Sequence, residues 1–484
     1  MKLSQILAGV QVLQSTANMN LDITNLTNDS RNVKPGGLFV AVPGFTRDGA
    51  SYAKQAVSAG AVAVISETEL DGQIPQIIVP NARKALAQAA AAFYEQPQNK
   101  IKIIGITGTN GKTTVCQLVA QVLKSSGHKV GIIGTNGYYI NDTYMPAPRT
   151  TPESDVLYAL LANMVEQGCE YAVMEVSSHS LALHRVEGLT FEVGVFTNLS
   201  QDHLNFHNTM EEYLRVKATM FEHCRVGVVN LDDGYAKKII ENRDCPMTTY
   251  SAETNEADIV AKSIKLSPNG AEFVVGLLSV IKRIKTTMPG MFNVYNTLAA
   301  IQTCLCLGME LEQISEYIKT AKMPKGRCEV LPLDKEYTVM IDYAHTPDGL
   351  KNVIRAVKGF ATGRVITLFG CGGVRDKEKR PVMGKIATDL SDFAIITSDN
   401  PRTEEPEEII EHIVAGVTAD PKRYVVIPDR VEAIKYAIKH ARKDDFIILA
   451  GKGQETYQEI KGVQYHLDER EVVLAAVIGE TDPS

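Results

Sequence analysis

The sequence predicts an α/β protein of three domains: a doubly wound, mostly parallel central sheet built around a phosphate-binding loop, a small α/β domain before it and a Rossmann-like domain after it. Three observations support this reading. Short apolar runs rich in Val and Ile recur along the chain and alternate with helix-length segments, the pattern of parallel strands joined by crossover helices. The run IKIIGIT at 101–107 passes directly into GTNGKTT at 108–114, which reads as strand, glycine loop and helix start. The length of 484 residues, at roughly 150 per domain, suggests about three domains with ample core. Breaks at EQPQNK (95–100) and KMPKGR (322–327) set the expected boundaries, 1–98, 99–327 and 328–484.

Along the chain, LSQILAGVQVL (3–13) reads as a short amphipathic helix; its two glutamines and missing cleavage site argue against a secretory signal. LFVAVPG (38–44), AVAVISE (61–67) and QIIVP (76–80), with a helical stretch after Asp48, make the small first domain. Beyond the phosphate-binding loop, the amphipathic stretch 115–125 is followed by strands at VGIIG (130–134), YAVMEV (171–176), FEVGVFTN (191–198) and RVGVVN (225–230). Residues 257–288 change to short alternating segments, expected as a few antiparallel strands, and 294–307 is expected to be helical. The last domain carries RVITLFGCGG (364–373), DFAIITSDNPR (392–402), YVVIPDR (424–430) and DFIILAGKG (445–453). Each ends in a polar or glycine loop. Ligands of open α/β sheets bind beyond the carboxyl ends of the strands, so all four loops are expected to converge on one cleft.

Composition narrows the function. A net charge of −7 argues against a partner with a phosphate backbone, so no nucleic acid is expected and any anion site must be local. The eight cysteines contain no CxxC pair, which fits reduced thiols in a cytoplasmic protein better than a zinc ribbon or a disulfide framework. No stretch reaches the roughly 20 apolar residues of a membrane span.

In the loop itself, Gly108 and Gly111 would let backbone N–H groups approach phosphate, Lys112 would neutralise it, and Thr113 could offer a hydroxyl to Mg²⁺. The spacing is a variant, because Ile106 stands where the usual motif has its first glycine. Glu175 closes a buried strand where such enzymes keep a magnesium-binding carboxylate; a solvated strand end is the alternative. Asp202, His203 and His207 follow another strand, without zinc-finger spacing, and a second magnesium contact suits them better. On pattern alone Lys217, between Val216 and Ala218, is a snorkelling surface lysine. Asn296, Arg327 and Asp342 could contact a nucleotide base or ribose, or serve as caps and linker contacts. Arg375, Arg402 and Glu455 stand in strand-end loops, and two arginines with one acid suit a zwitterionic substrate.

The strings TGTNGKTT (107–114), MEVSSHSLALHRV (174–186), TNLSQDHLNFH (197–207), GMFNVYNTLAA (290–300), IDYAHTPD (341–348), GCGGVRDKEKRPVMG (370–384), DNPRTEEP (399–406) and AGKGQE (450–455) together resemble the Mur ligases. Within that family they resemble the members that add meso-2,6-diaminopimelate, for which DNPR is the mark. The resemblance runs from DSR at 29–31 to about Gln458. It implies ATP-dependent amide ligation of meso-diaminopimelate to the D-glutamyl γ-carboxylate of UDP-MurNAc-L-Ala-D-Glu through an acyl phosphate, in peptidoglycan precursor synthesis.

By resemblance, Asn28, Ser30 and the Phe45-Thr46-Arg47 loop hold the uridine nucleotide. Gly108, Thr109, Asn110, Gly111, Lys112, Thr113 and Thr114 bind ATP. Thr150, Thr151, Ser177 and Arg185 contact the muramoyl dipeptide, and Arg375, Asp399, Asn400, Pro401, Arg402, Gly451 and Glu455 contact diaminopimelate. Two Mg²⁺ ions are implied, held through Thr113, Glu175, His203 and Lys217, the last as a carbamate formed with CO₂. The surface reading of Lys217 is revised on that ground alone. Leu183 and Gln454 depart from the family pattern, which commonly has glutamine and histidine there. A monomer is expected. The alternatives are the same ligation with L-lysine, disfavoured by Arg402, a folylpolyglutamate-synthetase-like ligase, disfavoured by the N-terminal domain and DNPR, and a non-catalytic nucleotide-binding regulator, disfavoured by Lys112, Glu175, His203 and Lys217 together.

Overall fold

The computed structural model describes residues 1–44, 47–241, 244–277 and 280–481, the side chains of the last two excepted. Phe45 and Thr46 lie outside the described residues. The N-terminal sheet runs in the order Gln14–Ser15, Gln76–Ile78, Ala61–Ser66, Gly37–Val40, Asn25–Thr27, parallel except for the first pair. The three apolar runs are its three central strands. The outer two are only two and three residues long, too short for alternation to show. The first helix is shorter than its sequence suggests, Leu3–Ile6, with Leu3 and Ile6 buried. Helix Ala82–Phe93 is capped by Asn81, whose side chain accepts from the Lys84 N–H, and it buries a nearly all-alanine face. Small side chains let it approach helix Ser154–Glu166 of the next unit, so one core cluster runs through both.

Among the described residues the central sheet has eleven strands. Seven are parallel, in the order Ile259–Ser267, Met247–Ser251, Cys224–Asn230, Phe191–Phe196, Lys102–Thr107, Tyr171–Glu175, Val130–Gly134. Antiparallel strands extend both edges, Gly270–Leu277 with Val280–Thr286 at one and Gly137–Ile140 with Thr143–Met145 at the other. The expected antiparallel segment is therefore present, and the second edge hairpin went unread because its residues are mostly polar or aromatic. Alternation along Lys102–Thr107 sends Ile103 into one core cluster and Ile104 and Ile106 into the other, between the sheet and helices Lys112–Ser125 and Met291–Cys306.

The third sheet runs Glu329–Val330, Thr338–Asp342, Phe446–Ala450, Val365–Phe369, Phe393–Ile396, Tyr424–Val426, again parallel except for the first pair. Strand Thr338–Asp342 was not among the strands expected from the sequence; only the first two residues of IDYAHTPD belong to it. A hairpin, Tyr457–Ile460 with Val463–His466, and helix Glu469–Thr481 close the chain. Among the described residues no helix is long and apolar enough to cross a membrane.

Candidate active site

The phosphate-binding loop leaves the middle of the central sheet, at the carboxyl end of Lys102–Thr107. Gly108 (φ +142°) and Gly111 (φ +87°) take backbone conformations that side chains resist. A Cβ on Gly108 would also strike Thr197 Oγ1, and one on Gly111 would strike Asn296 Oδ1. Lys112 folds back over the loop and its Nζ donates to the carbonyls of Gly108 (3.0 Å) and Thr109 (2.7 Å). Two loop N–H groups are occupied by the protein: Thr109 donates to the Asn198 carbonyl and Asn110 to Asn198 Oδ1. The N–H groups left free of such partners are those at the start of helix Lys112–Ser125, the kind of position that suits an anion. Asn198 was not singled out in the sequence; a polar residue just after a neighbouring parallel strand was the available signal.

Glu175 is buried and is not a solvated strand end. Its carboxylate accepts from Thr113 Oγ1 (3.0 Å), the Thr135 N–H (2.8 Å) and Thr135 Oγ1 (3.1 Å). Thr150 lies against Thr135, hydroxyl to hydroxyl at 3.0 Å. Thr151 is buried behind this group, its hydroxyl donating to the Glu175 carbonyl and accepting from the Ser177 N–H. Thr150 and Ser177 line the cleft, whereas Thr151 and Arg185 brace its wall; Arg185 donates to the Thr151 carbonyl and pairs with Glu153 at 2.8 Å.

Lys217 corrects the pattern reading most plainly: it is 1% exposed. Helix Met210–Ala218 packs this face inward, and Nζ donates to the Gly108 carbonyl (2.8 Å) and lies 4.6 Å from the Tyr213 ring centroid. Burial and the nearby Lys112 push its pKa well below the ordinary lysine value, with Asp202 opposing. Burial pushes the Asp202 carboxyl up, but His203 (3.3 Å), Lys379 (3.6 Å) and His345 (3.8 Å) together outweigh it and hold the group below the usual carboxylate range. Burial depresses the imidazoles of His203, to about 3, and His345, to about 4. Lys379 and His345 come from the C-terminal unit, so Asp202 links the two halves of the cleft electrostatically. Neither was among the candidates, because nothing in local sequence ties them to Asp202.

Three of the four C-terminal loops reach this cleft, bringing Arg375, Asp399, Asn400, Arg402, Gly451 and Glu455 to it. The fourth, after Tyr424–Val426, does not. It supplies Arg430, which donates to the Ser398 and Ala450 carbonyls and pairs with buried Glu469, bracing the loops from behind. Buried Lys452 joins Asn400 and Glu455, donating at 3.0 Å to each, and Asn400 Nδ2 donates to Glu455 at 2.8 Å. Arg402 takes φ +54°. Its Nη1 donates to the Gly373 carbonyl (2.9 Å), and Nε faces Glu459 (3.3 Å) on the terminal hairpin. Pro401 does not line the cleft; its carbonyl packs against Gly373. Gln454 does not line it either, and Gly453–Gln454 backbone abuts Gly326.

Asn296, Arg327 and Asp342 line an adjoining cavity with Asn110, Thr114, Tyr343 and Asp348. The linker reading of Asp342 also holds, since its carboxylate accepts from the Cys328 and Ala344 N–H groups. Asn28, Ser30 and Arg47 line a separate cleft of about 740 Å³ between the N-terminal unit and residues 148–156. Hard oxygen donors at Thr113 and Glu175 fit a divalent cation completed by phosphate oxygens. Among the described residues no cluster of three or more His, Cys, Asp or Glu could hold a metal by itself.

Residues 22–94 match the Mur ligase family catalytic domain, 106–304 the Mur ligase middle domain and 326–453 the Mur ligase glutamate ligase domain. The chain belongs to the Mur ligase family. It is 44% identical over 478 residues to the UDP-N-acetylmuramoyl-L-alanyl-D-glutamate–2,6-diaminopimelate ligase 1 of Clostridium acetobutylicum, and 45% identical over 476 residues to the corresponding ligase of Caldanaerobacter subterraneus; in both cases 98% of each chain is covered. A solved structure of a ligase of that name aligns over the whole of both chains with a TM-score of 0.70 and 33% identity. A MurF ligase of Thermotoga maritima in complex with ADP shares the fold at 19% identity, with a TM-score of 0.67 over 94% of this Mur ligase and 97% of that chain.

Proposed function

We propose that this Mur ligase is an ATP-dependent enzyme that joins meso-2,6-diaminopimelate to the D-glutamyl γ-carboxylate of UDP-MurNAc-L-Ala-D-Glu in peptidoglycan synthesis. The observation that carries the reading is one cleft in which Lys112, Thr113 and Glu175 of the central unit face Arg375, Asp399, Arg402 and Glu455 of the C-terminal unit. A phosphoryl donor and a zwitterionic amino acid can thus meet there. The relatives named above, alike over nearly the whole chain, carry that activity in their names. Three sheets confined to residues 14–78, 102–286 and 329–450 support domains at 1–98, 99–327 and 328–484. ATP and a nucleotide sugar suit a cytoplasmic enzyme.

In this mechanism the γ-carboxylate attacks the γ-phosphorus of ATP, and Lys112 spreads the charge of the transferring group. The amine of diaminopimelate then attacks the acyl phosphate carbonyl, releasing phosphate and leaving an amide. Magnesium, bound through Thr113 and Glu175 and a second time through His203 and Lys217, would supply charge neutralisation of the phosphates. Lys217 suits carbamylation by CO₂, since burial favours its neutral, nucleophilic amine, and the product is a carboxylate beside His203. Asn296, Arg327 and Asp342 receive the nucleoside of ATP. Asp399, Asn400 and Glu455 hold the distal ammonium of diaminopimelate, and Arg402 with Arg375 its distal carboxylate. Asp202, Lys379 and His345 hold the domains closed, which excludes water from the acyl phosphate. Phosphate release measured with UDP-MurNAc-L-Ala-D-Glu and either diaminopimelate or L-lysine tests the proposal; release with lysine alone, or with neither, overturns it.

A further inference from the structure

Three arginines surround Glu153, more positive charge than its one carboxylate can neutralise. Arg185 Nη2 lies 2.8 Å from it, Arg83 Nη1 3.5 Å and Arg149 Nε 3.8 Å. The three arginines come from separate segments. Arg83 is on helix Ala82–Phe93 of the N-terminal unit and also donates to the Pro43 carbonyl, Arg185 donates to the Thr151 carbonyl, and Arg149 is in the loop before helix Ser154–Glu166. Arg83 and Arg185 are largely buried behind Glu153, whereas the Arg149 side chain is 55% exposed and lines the cleft between the two units. Its long contact to Glu153 is through Nε and not through the Nη groups. Of the other carboxylates lining this cleft, Asp29 pairs with Arg31, and buried Asp155 accepts the Asn28 N–H through Oδ2 while its Oδ1 has no partner. Arg47, also lining it, donates to the Tyr52 hydroxyl. The wall is therefore cationic where Arg149 stands.

Position along the chain says which anion this charge meets. Arg149 lines the N-terminal cleft and the next residue, Thr150, lines the catalytic cleft. A substrate with its nucleoside in the first and its reacting carboxylate in the second must cross at this point. In a nucleoside diphosphate sugar the diphosphate lies between those two ends. We infer that Arg149 binds the substrate diphosphate through its Nη edge, oriented by Glu153, with Arg83 and Arg185 leaving the site a positive surplus. The inference rests on the reading of the N-terminal cleft as the uridine nucleotide site. Guanidinium is the group suited to this contact, since its planar donors match two phosphate oxygens and it remains charged at all working pH values.

The test is equilibrium titration of the full-length protein with uridine and with UDP, without magnesium, for the wild type, Arg149→Ala and Arg149→Lys. A charge-assisted hydrogen bond of the usual strength predicts that the ratio of UDP to uridine affinity falls by about 10-fold or more in Arg149→Ala, with uridine affinity unchanged and partial recovery in Arg149→Lys. Raised salt should weaken UDP binding to the wild type more than to Arg149→Ala. An unchanged ratio in Arg149→Ala overturns the diphosphate contact while leaving the nucleotide cleft standing. Failure of the wild type to bind either compound overturns the nucleotide reading, and the inference with it.

Discussion

Arg327 Nη2 donates to Thr113 Oγ1 at 3.0 Å, joining the hinge between the second and third domains to the phosphate-binding loop 214 residues earlier. The Arg327 guanidinium also stacks over Tyr343, 4.5 Å from the ring centroid. One side chain thus joins the glycine loop to Tyr343, just beyond strand Thr338–Asp342, so in the proposed mechanism closure and nucleotide contact are coupled through it. Arg327→Ala is expected to raise KM for ATP and lower kcat together, because positioning and closure are lost at once. A change confined to KM would show that Arg327 only binds.

Lys112→Ala should abolish ligation while the protein still folds. The ammonium serves the loop carbonyls of Gly108 and Thr109 and incoming phosphate, and its removal leaves no large apolar cavity. Phosphate release paired with a thermal melt checks this; wild-type-like turnover would remove Lys112 from the mechanism.

Lys217→Ala is expected to lose most activity and to recover part of it with added short carboxylic acids, which replace the missing carboxylate. A stability test is independent of turnover. The folded-state pKa of Lys217 is depressed far below 10.5, so between those two values the unfolded chain binds the extra proton. Stability without bicarbonate should therefore rise with pH through that window and fall as pH decreases. Lys217→Met should flatten the slope in urea melts taken across pH; an unchanged slope would mean the amine is charged when folded.

Asp202→Asn leaves Lys379, itself buried, without its carboxylate partner. Breaking a buried pair in this way costs about 3–5 kcal/mol, and part of that cost should appear as loss of the closed arrangement. The expected result is a lower denaturation midpoint and a kcat loss larger than any change in KM for ATP. Equal stability to the wild type would show that the pair is solvated.

Arg402→Ala should reduce diaminopimelate use by on the order of 3 kcal/mol, since a charged partner of the distal carboxylate is lost, with ATP affinity nearly unchanged. Lysine use should not fall in proportion, because lysine lacks that carboxylate. Arg402 also binds the Gly373 carbonyl and faces Glu459, so steady-state kinetics with both amino acids is the discriminating measurement. A parallel loss for both would assign Arg402 to loop support.

By itself the sequence determined the α/β class, the order of the main strands, the phosphate-binding loop and the family, because these depend on local periodicity and on contiguous motifs such as GTNGKTT and DNPR. The edge strands Gln14–Ser15 and Thr143–Met145 were missed, since pairing at an edge needs no apolar alternation. Tertiary structure alone decided what residues far apart in the chain do together. Lys217 looked like a surface lysine because one helix turn cannot reveal that the Gly108 carbonyl, 109 residues earlier, will meet its amine. Asp202 found Lys379 and His345, and Glu153 found Arg83, only once separate domains met. Such contacts arise from the packing of whole sheets and helices, which short-range pattern does not encode.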